Sequence, residues 1–230
     1  HSPCGVWNQV YDRVLHLKEP DDGGDLPESD YEDSSCNSTS CGSDGYPNLT
    51  QWYTSDPFPT VDGQVGLGVR TYEQGGAYAD FPNSPTDFVT SFCFKTTNSQ
   101  SICTLYGQNY PDDVSMFCLY MSSGNIALKI YDDNVDKKDI DEITTTVVND
   151  GAWHYAFLHH EYVDDGTQAI WLMIDGVVVV QDNTRDFPQG LQSHHILGAA
   201  YRSQHDEAYT GTVDIDEYKI STFTMLGQDW

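Results

Sequence analysis

The chain reads Asn149-Asp150-Gly151-Ala152-Trp153-His154 and, further on, Ile170-Trp171-Leu172-Met173-Ile174-Asp175-Gly176. We predict strands from Trp153 to Tyr162 and from Gln168 to Asp175, because aromatic and branched residues dominate both runs and turn residues separate them. Asp175-Gly176 is a strong signal for a tight hairpin turn and leads into the apolar run 177–180. Three consecutive antiparallel strands are therefore predicted.

Further short runs with strand character cover most of the chain, and no helical stripe of useful length interrupts them. In 88–95, alternation places Phe88, Thr90, Phe92 and Phe94 on one face, which we predict to be the core face. This density of strands predicts an all-β fold, with two antiparallel sheets packed as a jelly-roll sandwich. Phe92, Phe94, Trp153 and Leu172 are expected to share its interior.

The length of 230 residues fits one large β-sandwich, and no stretch resembles a flexible linker. We predict a single domain, 1–230. Residues 21–63 are rich in Asp, Ser, Gly, Pro and Asn, so a long, acidic, irregular loop is expected there, pinned by a disulfide.

The formal net charge is −26, with ten Lys and Arg. Nucleic acid and anionic membrane surfaces would be repelled, and no apolar run is long enough to span a bilayer. Cations are the expected counterparts. Two interpretations of the acidity stay open: it keeps an extracellular protein soluble, or part of it binds calcium.

Six cysteines and two sequons favour an oxidising compartment, so a secreted or surface-displayed protein is predicted. We expect disulfides, with Cys36 bonded to Cys41 around a small polar loop and the partner of Cys4 left open. The other cysteines are Cys93, Cys103 and Cys118. Asn37 and Asn48 are candidate glycosylation sites, because each begins an Asn-x-Ser/Thr tripeptide.

A family resemblance rests on segments that occur in order along the chain. They are 14–19, 31–35, 88–92, Asp150-Gly151-Ala152-Trp153-His154, Ile174-Asp175-Gly176 and the closing 213–221. Together they resemble laminin-G-like, concanavalin A-like jelly-roll domains. The resemblance implies a two-sheet sandwich, a structural calcium, and a role in extracellular adhesion, carbohydrate recognition or surface assembly. It also implies calcium ligands at Glu19, Gly75 and Asp216.

Catalysis is not expected. Glycoside hydrolases need two carboxylates facing each other across the substrate, whereas strand alternation puts Asp214 and Asp216 on one face and Glu217 on the other. The histidines lack zinc-binding spacing, and His154 is interpreted as a packed or hydrogen-bonded strand residue.

Trp171 is the candidate carbohydrate-binding residue. If Leu172 and Ile174 face the core, Trp171 faces outward and could stack on a sugar ring. The sequence therefore predicts a non-catalytic, calcium-stabilised module for adhesion or assembly with other proteins or further copies of itself. Glycan binding is the alternative, and a glycoside hydrolase is the less favoured one.

Overall fold

The computed structural model describes residues 13–15, 50–52, 60–64, 66–71, 76–80, 88–98, 102–109, 115–132, 137–164, 167–185, 194–197 and 212–221. All the regular secondary structure within these ranges is β-strand. In order, the strands are β1 (Arg13–Leu15), β2 (Thr50–Trp52), β3 (Thr60–Asp62), β4 (Leu67–Arg70), β5 (Gly76–Asp80), β6 (Phe88–Lys95), β7 (Ile102–Asn109), β8 (Ser115–Ser122), β9 (Asn125–Asp132), β10 (Lys137–Val147), β11 (His154–Asp164), β12 (Thr167–Ile174), β13 (Val177–Arg185), β14 (His194–Leu197) and β15 (Asp214–Ser221). Over these ranges, no helix is long and apolar enough to cross a membrane.

The strands form two antiparallel sheets. An 8-stranded sheet has the order β13-β12-β11-β6-β15-β4-β3. Its eighth strand, β1, pairs with residues 218–220 of β15, whereas β4 pairs with residues 214–215 of the same strand. A 7-stranded sheet has the order β10-β9-β8-β7-β14-β5-β2. Many neighbours are distant in sequence, as in jelly rolls, where the chain crosses repeatedly between sheets. The prediction of an all-β, two-sheet antiparallel sandwich is confirmed.

The predicted three-stranded meander is present as β11, β12 and β13. At its second turn, Asp175 has φ 53° and Gly176 has φ 80°. Two consecutive positive φ values are the mark of a type I′ turn, whose twist matches that of the flanking strands. The Asp-Gly pair therefore forms the kind of hairpin that it predicted.

The core lies between the sheets. Phe92, Phe94, Leu158, Leu172 and Ile215 are all almost fully buried. Burial of such side chains stabilises the fold by about 1.5–3 kcal/mol each. The predicted core positions Phe92, Phe94 and Leu172 are confirmed.

Trp153 was predicted to lie in this interior, and that prediction is wrong. It precedes His154, which pairs with Phe94 on the core side of the sheet, so Trp153 faces the opposite way. Its ring is partly exposed, with Lys95 Nζ 5.0 Å from the ring centroid. The alternation of the strand, and not the size of the indole, decides where this residue points.

The expected irregular loop at 21–63 needs a correction at its end. Thr50–Trp52 forms β2 of the 7-stranded sheet, and Thr60–Asp62 forms β3 of the 8-stranded sheet. Both strands have three residues and pair with one described neighbour each. Three residues are too few for an alternation of apolar and polar side chains to distinguish a strand from the surrounding turn residues. Residues 21–49 lie outside the described residues, as do the two candidate glycosylation sites Asn37 and Asn48.

The disulfide prediction is wrong for two of the six cysteines. Cys93 and Cys118 are thiols in the structure, and Cys118 is fully buried in β8. The two sit on different sheets, so the succession of strands along the chain does not make their sulfur atoms neighbours. Cys4, Cys36 and Cys41 lie outside the described residues, and so does the side chain of Cys103.

Candidate functional site

Individual strands differ in how they are covered. In β8 the successive residues 118–121 are all buried, and so are residues 89–92 of β6, so both faces of these two strands are covered. In β11, burial alternates instead: Ala156, Leu158 and His160 are buried, whereas Tyr155, Phe157 and His159 are partly or largely exposed. On the face of the 8-stranded sheet opposite the core, called here the outer face, the β11 side chains are therefore partly exposed, whereas Val89 and Ser91 of the neighbouring β6 are buried.

Four ring-bearing residues follow one another on this face: Trp153, Tyr155, Phe157 and His159. They occupy alternate positions along β11 and the residue just before it, and we call them the β11 stripe. With a rise of roughly 3.3 Å per residue, the stripe extends over about 20 Å. Tyr155 is 37% exposed and the other three are partly exposed. Such a row can stack several rings of an elongated ligand.

Trp171 extends the stripe onto the next strand. It pairs with His159 across β11 and β12, and the two rings stack with centroids 4.9 Å apart and planes at 23°. Leu172 and Ile174 point into the core, so the predicted outward direction of Trp171 is confirmed. The stack fixes the orientation of the indole, which leaves less side-chain entropy to be lost when a ligand binds.

A group of charged residues lies at the other end of the stripe. Asp214, on β15, accepts hydrogen bonds from Nε and Nη2 of Arg70, the second at 2.9 Å. Lys95 Nζ lies 3.6 Å from the same carboxylate and also over the Trp153 ring. We call Arg70, Lys95 and Asp214 the charged end. One carboxylate there faces two cations.

Next to the charged end, β15 contains a β-bulge. The pairing of β15 with β6 shifts between Asp216 and Lys219, and Glu217 has φ 54°. The bulge interrupts the alternation. Glu217 Oε2 lies 3.2 Å from Lys219 Nζ, and Lys219 pairs with Ser91 on the outer face. The prediction that Glu217 faces away from Asp216 is therefore wrong, because strict alternation does not hold here.

Asp216 is fully buried beside two glycines. A Cβ at Gly63 would lie 2.6 Å from Asp216 Oδ2, and one at Gly68 would lie 3.2 Å from Asp216 Cβ. Asp216 Oδ1 accepts a hydrogen bond of 2.8 Å from the Glu217 N–H. The close approach of the carboxylate to β3 and β4 thus depends on the absence of side chains at 63 and 68.

Cys93 lies opposite Asp216 on the outer face. Burial raises the pKa of its thiol to about 11, and the negative charge of Asp216 adds to the effect. A thiol with this pKa is almost entirely protonated at neutral pH, which makes it a poor nucleophile.

The predicted calcium ligands are only partly described. Asp216 is a buried carboxylate whose charge a cation could neutralise, whereas Glu19 and Gly75 lie outside the described residues. Within the described ranges, no group of three or more His, Cys, Asp and Glu side chains is arranged to hold a metal. Calcium usually takes six to eight oxygen ligands. The calcium site stays a prediction.

His154 lies between two aspartates at the start of β11. Its Nδ1 is 2.8 Å from Asp175 Oδ2, and its Nε2 is 3.1 Å from Asp150 Oδ1. Burial works against the charged imidazole, but the hydrogen bonds to Asp175 and Asp150 outweigh it, so the pKa of His154 is raised. The interpretation of His154 as a hydrogen-bonded strand residue is confirmed.

Sequence reasoning missed the β11 stripe, although its alternate ring-bearing residues are visible in the sequence. Placing Trp153 in the core hid the pattern, because the other members then also pointed inward. It also missed the charged end, since Arg70 and Asp214 are 144 positions apart. No local pattern could have joined them.

No family model matches the chain, and no curated protein matches it. Among solved structures, domain 4 of AbnA, an extracellular GH43 arabinanase of Geobacillus stearothermophilus solved with arabinotriose, is similar with a TM-score of 0.62. The identity is 18%, over 92% of this chain and 91% of that chain.

Two more of the similar solved structures come from a toxin and a lyase. One is the ligand-binding domain of botulinum neurotoxin serotype D in complex with N-acetylneuraminic acid, with TM-score 0.60 and 14% identity over 97% of this chain. This chain spans 50% of that one. The other is an endo-β-1,4-glucuronan lyase of the fungus Trichoderma reesei, with TM-score 0.56 and 14% identity over 79% of this chain and 92% of that chain. At these identities the similarity shows a shared β-sandwich fold.

Proposed function

We propose that this chain is a non-catalytic glycan-binding module, and that a saccharide lies along the β11 stripe on the outer face. The single observation that carries this proposal is the row of Trp153, Tyr155, Phe157 and His159, continued by Trp171. Partly exposed rings in a row present apolar surfaces against which the C–H faces of successive sugar rings pack. Carboxylates, amides and cations beside the row can bind the hydroxyl groups.

The structural neighbours support the choice of ligand class. The arabinanase domain was solved with arabinotriose and the neurotoxin domain with N-acetylneuraminic acid, so sandwiches of this shape accommodate saccharides in other proteins. Shared shape does not transfer a ligand from one protein to another. The argument for this chain rests on its own stripe.

The non-catalytic part of the proposal rests on how the carboxylates of the outer face are engaged. Asp214 is bound by Arg70 and Lys95, and Glu217 pairs with Lys219. A glycoside hydrolase needs one carboxyl group held protonated and a second one facing it across the substrate. Each of these two carboxylates is engaged by a cation of the protein, an arrangement that suits ligand binding better than acid catalysis.

The decisive experiment measures saccharide binding by calorimetry, with linear oligosaccharides of two to six units as probes. We expect affinity to rise with length until the stripe is filled. The double variant Tyr155→Ala/Phe157→Ala should lose at least about tenfold in affinity, or about 1.4 kcal/mol. Val177→Ala is the matched control, because Val177 is exposed on the edge strand β13, away from the stripe.

Two results would contradict glycan binding. One is the lack of heat with any oligosaccharide at millimolar concentration in a folded protein. The other is a double variant that binds as tightly as the unmodified chain.

Assembly with proteins is the second candidate, and a different observation favours it. Ile143, Val147, Val177 and Val178 are all about half exposed or more. They belong to β10 and β13, which are the edge strands of their sheets and contact each other. Apolar edge strands are templates for strand addition. Sedimentation that shows self-association, lost in Val177→Lys, together with a silent glycan panel, would favour this function over the first.

The resemblance to laminin-G-like domains, the calcium ion and the secreted location are further proposals. The buried Asp216 carboxylate supports the calcium ion. A rise in melting temperature on adding Ca²⁺, absent in Asp216→Asn, would test it, because a ligand that binds only the folded state stabilises it. Magnesium at equal concentration is the control.

A further inference from the structure

We infer that the charged end selects saccharides that carry a carboxylate, so that the module prefers acidic over neutral sugars. The inference rests on the proposed function, because it assigns a specificity to one end of the same face. It is carried by the exposure and charge of Arg70, Lys95 and Asp214, together with their position beside the β11 stripe.

The exposed groups of the charged end are its cations. The Asp214 side chain is 4% exposed, whereas those of Arg70 and Lys95 are 45% and 29% exposed. The three residues carry a formal net charge of +1, and the adjacent Asp216, Glu217 and Lys219 bring the wider cluster to zero. The carboxylates of this cluster are buried, so the groups that a ligand meets at the charged end are the two cations.

Both cations keep hydrogen-bond donors for a ligand. Arg70 uses two of its five N–H groups on Asp214, with Nε and Nη2 as donors. The Lys95 ammonium, 3.6 Å from Asp214 Oδ2, is beyond ordinary hydrogen-bonding distance from it. Asp214 therefore orients the two side chains without using up their capacity. Guanidinium and ammonium groups held in this way bind a carboxylate through charge-assisted hydrogen bonds.

The position of Lys95 connects the charged end to the stripe. Tyr155 pairs with Cys93 across β11 and β6, and Lys95 is two residues further along β6. Diagonal neighbours of this kind are roughly 7–8 Å apart, within reach of long side chains. A sugar ring stacked on Tyr155 would thus extend an exocyclic carboxylate toward Lys95 and Arg70.

The opposite side of Tyr155 disfavours the same carboxylate. Asp175 accepts a hydrogen bond from the Tyr155 N–H, and its side chain is 49% exposed. A ligand carboxylate directed toward β12 and β13 would meet this negative charge. The charges on the two sides therefore set one direction for an acidic sugar across the stripe.

The test uses tetragalacturonate and its fully methyl-esterified form, which differ in the charge of the carboxylates. We expect the acid to bind at least about tenfold more tightly than the ester at low salt, with the preference reduced as ionic strength rises. Lys95→Gln should remove most of this preference, so that the acid and the ester bind with affinities within about twofold of each other. Arg70→Gln/Asp214→Asn removes an ion pair as a unit without leaving a buried charge unpaired, and it should reduce the preference less than Lys95→Gln does, because Lys95 keeps its charge.

The outcomes separate the two proposals. If neither probe nor any neutral oligosaccharide binds, glycan binding itself is wrong. If the ester binds as tightly as the acid, or if Lys95→Gln keeps the preference, the specificity is wrong while glycan binding stands. The third probe is an oligosaccharide that carries sulfate groups and no carboxylate. Binding to this probe but not to the acid would overturn the assignment to carboxylates.

Discussion

His154 and Asp175 are joined by a hydrogen bond of 2.8 Å, which ties the first residue of β11 to the turn between β12 and β13. The second carboxylate oxygen of Asp175 accepts the Tyr155 N–H at 2.8 Å, and Asp150 binds the other ring nitrogen of His154. The two sequence motifs that predict the fold, 149–154 and 170–176, thus meet in space. They position the end of β11 from which the β11 stripe begins.

The bridge should make stability depend on pH through His154. Because its pKa is raised in the folded state, its contribution is fully present below the unfolded pKa of about 6.5. It is lost as the pH rises through the folded pKa. Urea unfolding of the chain and of His154→Gln, between pH 5.5 and 9, should show a difference in unfolding free energy that shrinks with rising pH.

Asp150 sets the acid limit of the same effect. Its pKa is lowered, first by the hydrogen bond from the Ala152 N–H and then by His154, so its contribution is lost as the pH falls through the folded pKa. The difference between the chain and His154→Gln should therefore also decline in strong acid. A difference that stays constant from pH 4 to 9 would contradict the bridge.

Trp171 should contribute to saccharide binding through its stack with His159. Trp171→Ala is expected to weaken oligosaccharide affinity about tenfold, as for a well-packed aromatic contact residue. Trp171→Phe keeps an aromatic surface and should lose less. Isothermal titration with the same oligosaccharide measures both, and equal affinities for the alanine variant and the unmodified chain would remove Trp171 from the site.

Cys93 should resist alkylation at neutral pH. A thiol pKa of about 11, against an ordinary value of 9.0, lowers the thiolate fraction about a hundredfold. Mass spectrometry of Cys93 after iodoacetamide treatment should show slow labelling at pH 7.5 that accelerates as the pH rises. Labelling in guanidinium chloride gives the rate of the unfolded chain. A disulfide at Cys93 in the unreduced protein would contradict this prediction.

Gly68 should not tolerate a side chain. A Cβ there would lie 2.6 Å from the backbone oxygen of Ile215 and would press on Asp216. Gly68→Ala is expected to lower the free energy of unfolding by roughly 1–3 kcal/mol, because the strands must separate. Gly66 has φ 78° and open space around it, so Gly66→Asn, which tolerates this backbone conformation, is the control. Equal stability of both variants in urea would show that β4 can shift away from β15.

The sequence by itself determined most of the longer strands, the antiparallel meander of β11, β12 and β13, and the tight turn at Asp175-Gly176; it did not reveal β2 and β3. These features depend on residues that are near one another in the chain, so composition, alternation and turn chemistry are enough to predict them. The outward direction of Trp171 followed in the same way, once Leu172 and Ile174 were assigned to the core.

Only the tertiary structure decided which residues form the outer face. The register of β11 against β6 turned Trp153 outward, and the bulge at Glu217 broke the alternation that had separated it from Asp216. Arg70 and Asp214 meet because β4 and β15, which are far apart in the sequence, are paired in the sheet. Pairing between distant strands is fixed by the packing of the whole sandwich, and no local stretch of residues contains that information.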